Sequence, residues 1–212
     1  MLQSIHREMT REALEILVSP RALESIIRGN LRQDSPGGLF GHDHYHFDNS
    51  AFAESYRYIN EQRGLVIASL LMPGARPAWD SFGRMIHSVQ DFYSHTNYIG
   101  LWLDQYNGAP PPASAIDPLQ KDLIESPQLV SGRVYLPFDA LYFLPGLRRL
   151  SLARLPRDSH GWMNLDSPAQ GPRFEYARAA AVKRTRHEYD LLENLLTPEM
   201  SARFADRDHA AH

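Results

Sequence analysis

IHSVQDFYSHTNYIGLW, residues 86–102, carries the strongest structural signal in the chain. His87, Asp91 and His95 recur at every fourth position, and a four-residue step turns an α-helix by about 400°, so the three side chains line one slowly drifting ridge. Ile99 and Trp102 continue that ridge while Ile86 and Phe92 flank it, which puts the polar residues on a face that otherwise reads as buried. A buried aspartate with no lysine or arginine beside it costs several kcal/mol unless a counter-charge is supplied. Imidazole nitrogen and carboxylate oxygen suit zinc, and Asp91 has two oxygens with which to bridge two ions. The plain alternative, polar residues on a solvated face, fits the flanking aromatics poorly.

Around this element the periodicity predicts further helices: 4–17 with Ser4 as its cap, 20–32, 50–71, 78 to about 103, and 173–196. The turn-rich stretch SPGGLFGHDHYHFDN (35–49), the proline-rich GAPPPASAIDP (108–118) and PRDSHGWMNLDSPAQGP (156–172) read as loops. VYLPFDALYFLPGLRRL (134–150) is apolar but broken by Pro137 and Pro145; it reads as core or as a greasy wall beside a site. No internal repeat and no sustained strand alternation is visible. The expectation is an all-α, single compact multi-helix domain over residues 1–200, followed by a polar tail over 201–212 that carries His209 and His212.

Composition narrows the chemistry. The chain has 212 residues, 43% hydrophobic and 22% charged, with a net charge of −3 and no cysteine. Thiolate ligands and disulfides are therefore out, and the acidic balance argues against a stable nucleic-acid partner. No stretch approaches the roughly 20 apolar residues that span a bilayer, and no leader is visible. A cytoplasmic protein is the expectation.

Further candidate ligands lie outside the central helix. His6 falls on the apolar face of the first helix, and Asp34 follows the inner stripe of the second, Leu23, Ile26, Ile27 and Asn30. The loop GHDHYHFDN offers His42, His44 and His46 with Asp43 and Asp48; alternate positions in an extended loop point one way, so His44 and His46 could reach one ion. His160 and Asp166 flank Asn164 in a second polar loop.

Four segments, IHREMTREAL, IIRGNLRQD leading into HFDN, IHSVQDFYSHTNYIGLW and SHGWMNLDSP before a long Ala-rich helix, resemble the superfamily of zinc-dependent phospholipases C and single-strand-specific nucleases. The resemblance is nearest to its Het-C-like branch. It implies an all-helical globule holding two or three zinc ions, with iron and manganese as alternatives, on His6, Asp34, His46, His87, Asp91, His95 and His160. Asp166 stands where a family glutamate is missing, and Met1 is closer to His6 than the family's amine ligand is to its first histidine. The implied activity is metal-dependent phosphoester hydrolysis of a small-molecule or lipid substrate, phospholipid first, with Asp34 or Asp48 as general base. A nuclease or nucleotide phosphoesterase is the alternative, as is a non-hydrolytic interaction protein or redox metalloenzyme.

Overall fold

A computed structural model describes residues 1–39, 41–142 and 146–207. Among these residues twelve α-helices follow one another: α1 Gln3–Leu14, α2 Pro20–Leu31, α3 Pro36–Leu39, α4 Phe52–Leu70, α5 Arg76–His95, α6 Tyr98–Asp104, α7 Lys121–Ile124, α8 Phe138–Tyr142, α9 Arg148–Leu152, α10 His160–Met163, α11 Arg173–Glu193 and α12 Pro198–Ala205. Among the described residues there is no strand, only two isolated β-bridges. The architecture is all-α. No helix is long and apolar enough to cross a membrane, again among the described residues.

α5 runs through the centre and packs on α2, α4 and α11, and α1 packs on α2 and α11. Every residue of α5 from Met85 to His95 is buried, as a helix surrounded on all sides requires. α2 begins where the Ser19 hydroxyl accepts from Ala22 N at 3.1 Å, with Pro20 in its first turn. The stripe Ile59, Val66 and Leu70 of α4 is buried as its spacing predicts. Between its turns, half-buried Arg63 reaches Glu188 of α11 at 2.5 Å, and Arg184 closes on the same carboxylate at 2.7 Å.

The crossing of α2 and α5 depends on two glycines. A β-carbon at Gly83 would stand 2.2 Å from the Ile26 carbonyl oxygen, and one at Gly29 would stand 2.5 Å from that of Asp80. Backbone meets backbone here, so no side-chain rotation can relieve the clash.

Three expectations need correction. The central helix does not run to 103: it stops at His95, because Thr96 is extended (φ −103°, ψ 166°) and its hydroxyl turns back to donate to Phe92 O at 2.7 Å. Thr96 then bridges to Ser131, and α6 starts afresh at Tyr98. The first helix starts at Gln3, so Ser4 lies inside it and is no cap. The chain beyond 200 is not simply a tail. Thr197 caps α12, Met200 and Phe204 lie one turn apart on its buried side, and Trp79 Nε1 donates to Phe204 O at 2.7 Å. His209 and His212 lie outside the described residues, as do positions 143–145 of the apolar stretch.

Substituting Gly83→Ala is expected to lower unfolding stability by about 3 kcal/mol. Urea denaturation followed by circular dichroism measures it, and an unchanged midpoint would show that the two helices separate without cost.

Candidate metal centre

α5 delivers His87, Asp91 and His95 from successive turns of its buried side, and their burial is complete or nearly so. α1 brings His6, fully buried, and the turn after α2 brings Asp34. His46 enters from the segment before α4, where Phe47 and Asn49 adopt left-handed backbone angles, a conformation tolerated in short tight turns. Asp48 follows in the same turn. His160 is the first residue of α10, whose start is capped by Ser159, and Asp166 follows three residues after that helix ends.

These residues converge. Asp91 Oδ2 lies 2.9 Å from His46 Nδ1 and 3.0 Å from His87 Nε2, and those two nitrogens are 3.1 Å apart. Asp91 Oδ1 faces elsewhere, 3.2 Å from His6 Nε2, 2.5 Å from the Met1 nitrogen and 3.8 Å from His95 Nε2. Asp34 Oδ1 is 3.6 Å from His87 Nε2. Asp166 Oδ1 is 3.1 Å from His95 Nε2, and Asp166 Oδ2 is 3.7 Å from His160 Nε2. Three trios that could hold a cation result: His6, Asp34 and His87; His46, His87 and Asp91; and Asp48, His95 and His160.

The hydrogen bonds decide which atom each histidine offers. His6 Nδ1 lies 2.7 Å from Gln90 Oε1, and Gln90 Nε2 donates to Thr10 and Thr185, so Gln90 must accept through that oxygen. His87 Nδ1 meets Asn30 Oδ1 at 3.1 Å, while Asn30 Nδ2 donates to Thr10 and Gln90. His46 Nε2 meets Gly38 O at 3.4 Å and His95 Nδ1 meets His46 O at 2.8 Å. His160 Nδ1 meets Asp48 Oδ1 at 3.0 Å. Each partner is an acceptor that a ring N–H can meet, and the opposite nitrogen of all five rings turns inward toward the carboxylates of Asp91 and Asp166. Ligand histidines are held in this way by a second layer of acceptors.

With the outer nitrogens carrying the hydrogens, lone pairs face lone pairs: His46 Nδ1 and His87 Nε2 stand 3.1 Å apart with an Asp91 oxygen 2.9 and 3.0 Å from them. A proton can relieve only one of those contacts. A cation bonded to all three would relieve them together, since bonds of about 2.0–2.1 Å in a tetrahedral site set donors about 3.3 Å apart. His6 Nε2 and Asp34 Oδ2 are buried atoms with no hydrogen-bond partner among the described residues. The donor set fits a metal.

Electrostatics agree. Burial holds the His6 imidazole low and pushes His87 down to about 4. Burial also disfavours charge on His95, yet Asp91 and Asp48 outweigh it and raise His95 to about 9; His160 is likewise raised, by Asp48 and Asp166 against its burial. Burial alone would raise Asp91, but the Met1 ammonium, His95, His87 and His6 hold it well below the carboxylate range. The ion-pair partners of Asp91 are that ammonium and histidines, with no lysine or arginine among the described residues.

His6, Asp34, His46, His87, Asp91, His95, His160 and Asp166 are thus brought together. His44 is not: its ring packs edge-on against Tyr58, 5.6 Å away, and His42 stacks on Tyr45 at 4.5 Å. The strict alternation expected of an extended loop fails because residues 43–45 form a 3₁₀ turn. Asn164 turns back to donate to the His160 and Gly161 carbonyls. The orienting residues Gln90 and Asn30 were not singled out as functional. Their signal is present: both are amides at helix positions facing the core.

A family model described as the VWA7 N-terminal domain matches residues 10–109. That span holds Asp34, His46, Asp48, His87, Asp91 and His95, and leaves out His6, His160 and Asp166. No curated protein and no solved structure matches. The resemblance to zinc-dependent phospholipases C, single-strand nucleases and their Het-C-like branch is thereby overturned: the family model that fits is a different one. An H-x3-D-x3-H ridge follows from helix pitch and ligand chemistry alone, so its spacing does not single out one lineage.

A pH series on the metal-free protein tests the electrostatics. His95, raised from 6.5 to about 9, contributes stability that is full below pH 6.5 and lost as pH rises through about 9. His87, lowered from 6.5 to about 4, works oppositely and costs stability as pH falls from 6.5 toward 4. The melting temperature after chelation is expected to peak near pH 6.5. Zinc should flatten the alkaline limb by taking the place of the His95 proton. Superimposed profiles with and without zinc would contradict the assignment.

Proposed function

We propose that the chain is a metal-dependent hydrolase that cleaves a phosphoester, with zinc as the metal and a phospholipid phosphodiester as the first substrate to consider. The observation that supports this most is Asp91, whose two oxygens serve two different donor sets, an arrangement suited to a pair of ions. His46 and His87 on the Oδ2 side, with Asp34 beside them, would hold one ion; His95, His160 and Asp166 would hold a second on the Oδ1 side, where His6 also lies, with Asp91 shared. Bound there, two divalent cations would bring the pKa of a coordinated water toward neutrality and stabilise the attacking and leaving oxygens of an in-line displacement.

The chain's own residues would do the rest. Gln90 and Asn30 fix the rings of His6 and His87, and the carbonyls of Gly38 and His46 fix His46 and His95. Asp48, engaged by the N–H of His160, is better placed to orient that ring than to take a proton. Asp34 suits the general base: its side chain is 14% exposed and its Oδ2 is without a hydrogen-bond partner. A second reading, a metal-stabilised interaction domain with no turnover, is favoured by the complete burial of His6, His87 and Asp91.

Elemental analysis of the purified protein, combined with assays on a short-chain phosphatidylcholine, a nucleotide phosphodiester and single-stranded DNA, separates these readings. Asp91→Asn is expected to lose both metal and turnover. Asp34→Asn, reloaded with zinc, should show kcat lowered roughly 100-fold or more. A zinc-loaded protein inert on every substrate would leave the non-hydrolytic reading standing.

A further inference from the structure

The segment between the two halves of the metal centre carries a surface that the hydrolytic chemistry does not explain. Leu136 is 64% exposed and Leu150 55%, and Phe138, Leu147 and Trp162 are each exposed by more than a third. They belong to one substructure. α8 packs on α9 and on α10, the Ser151 hydroxyl donates to Phe138 O at 2.7 Å, and Trp162 Nε1 donates to the carbonyls of Leu152 and Leu155.

The charge of this segment is opposite to that of the whole chain. Residues 133–163 hold five arginines, at 133, 148, 149, 154 and 157, against two acids, in a chain of net charge −3; Asp158 pairs with Arg133 at 3.8 Å, which leaves one further acid. That acid, Asp139, is only 3% exposed and faces inward, accepting from Gly161 N at 2.9 Å and from Tyr135 N at 2.6 Å. Arg149 and Arg154 are exposed, and the Arg157 guanidinium lies 3.8 Å over the Trp162 ring.

We propose that α8, α9 and the start of α10 form a docking surface for an anionic lipid bilayer. Protruding leucine and aromatic tips among arginines match a membrane interface: apolar ends enter the acyl boundary while guanidinium groups stay at the level of the headgroups. An indole lying under a guanidinium suits the same boundary. A protein partner or a second copy would be met by a flatter apolar face with fewer charges at its centre. The surface is also tied to the metal centre. Asp139 anchors α8 to the backbone of α10 beside His160, and Gly132 is so close that a β-carbon there would stand 2.7 Å from His160 Cα. Docking needs no turnover and stands apart from the hydrolytic reading, although it would favour a lipid among the proposed substrates.

Flotation of the full chain with vesicles of phosphatidylcholine alone, or mixed with phosphatidylserine, tests the surface. Binding is expected to the mixed vesicles and to be much weaker with the neutral ones. Arg149→Gln with Arg154→Gln should weaken it about 25-fold, at about fivefold per arginine. Leu136→Asp with Leu150→Asp should weaken it about tenfold or more. Both double variants should melt like the parent and hydrolyse a soluble phosphodiester at the parental rate. Equal binding by parent and variants, no preference for anionic vesicles, or a concentration-dependent dimer abolished by Leu150→Asp in place of vesicle binding would each overturn the proposal. Loss of soluble turnover with vesicle binding intact would count against hydrolysis alone.

Discussion

Asp91 is a carboxylate with no solvent exposure and, among the described residues, no lysine or arginine against it, which makes it costly to keep in the fold. Removing a charge from water costs several kcal/mol even after relaxation. The surrounding shell offsets that cost only in combination. Histidines from α1, from the turn before α4 and from α5 itself all face it, so each of these elements is held in place by the same charge. This explains why α5, buried from Met85 to His95, carries the polar ridge of His87, Asp91 and His95.

The acceptors behind the histidines add a constraint of a different kind. Gln90 and Asn30 bond to each other as well as to Thr10, so α1, α2, α5 and α11 share one closed network through Thr10, Asn30, Gln90 and Thr185. Every member is buried, and a network of this sort is stabilising only when all its members are satisfied. The glycine crossing of α2 and α5 then has a clear purpose. It brings Asn30 within 3.1 Å of His87, which a wider helix spacing would prevent.

Much of this was legible in the sequence, for a definable reason. A helix repeats its geometry, so His87, Asp91 and His95 could be placed on one ridge from spacing alone. His6 and Asp34 could be attached to it by the stripes they continue. Loop residues carry no such repeat. His46 and His44 differ by two positions, and only the 3₁₀ turn at 43–45 sends one inward and the other against Tyr58. The break at Thr96 was missed because the next buried residues, Ile99 and Trp102, fall at helical spacing even though they belong to a new helix. Family assignment was less legible still. Ligand spacing reports what a buried cation requires of a helix, a requirement that unrelated helices meet alike.

Charge balance gives the proposed pair of ions its strongest physical motive. Asp34, Asp48, Asp91 and Asp166 bring four negative charges to one centre, and the tautomers fixed by Gln90, Asn30, Gly38 and His46 leave His6, His46, His87 and His95 ready to act as neutral donors. Without metal, the Met1 ammonium supplies one positive charge and protons must supply more, which is why His95 and His160 are held charged against the penalty of burial. Protons are a poor substitute, because they relieve the His95 and His160 side while leaving His46 and His87 lone pair to lone pair. Two divalent cations would neutralise the four carboxylates with every histidine neutral. A single ion on the His46, His87 and Asp91 trio would leave the other half dependent on protonation, and hence on pH.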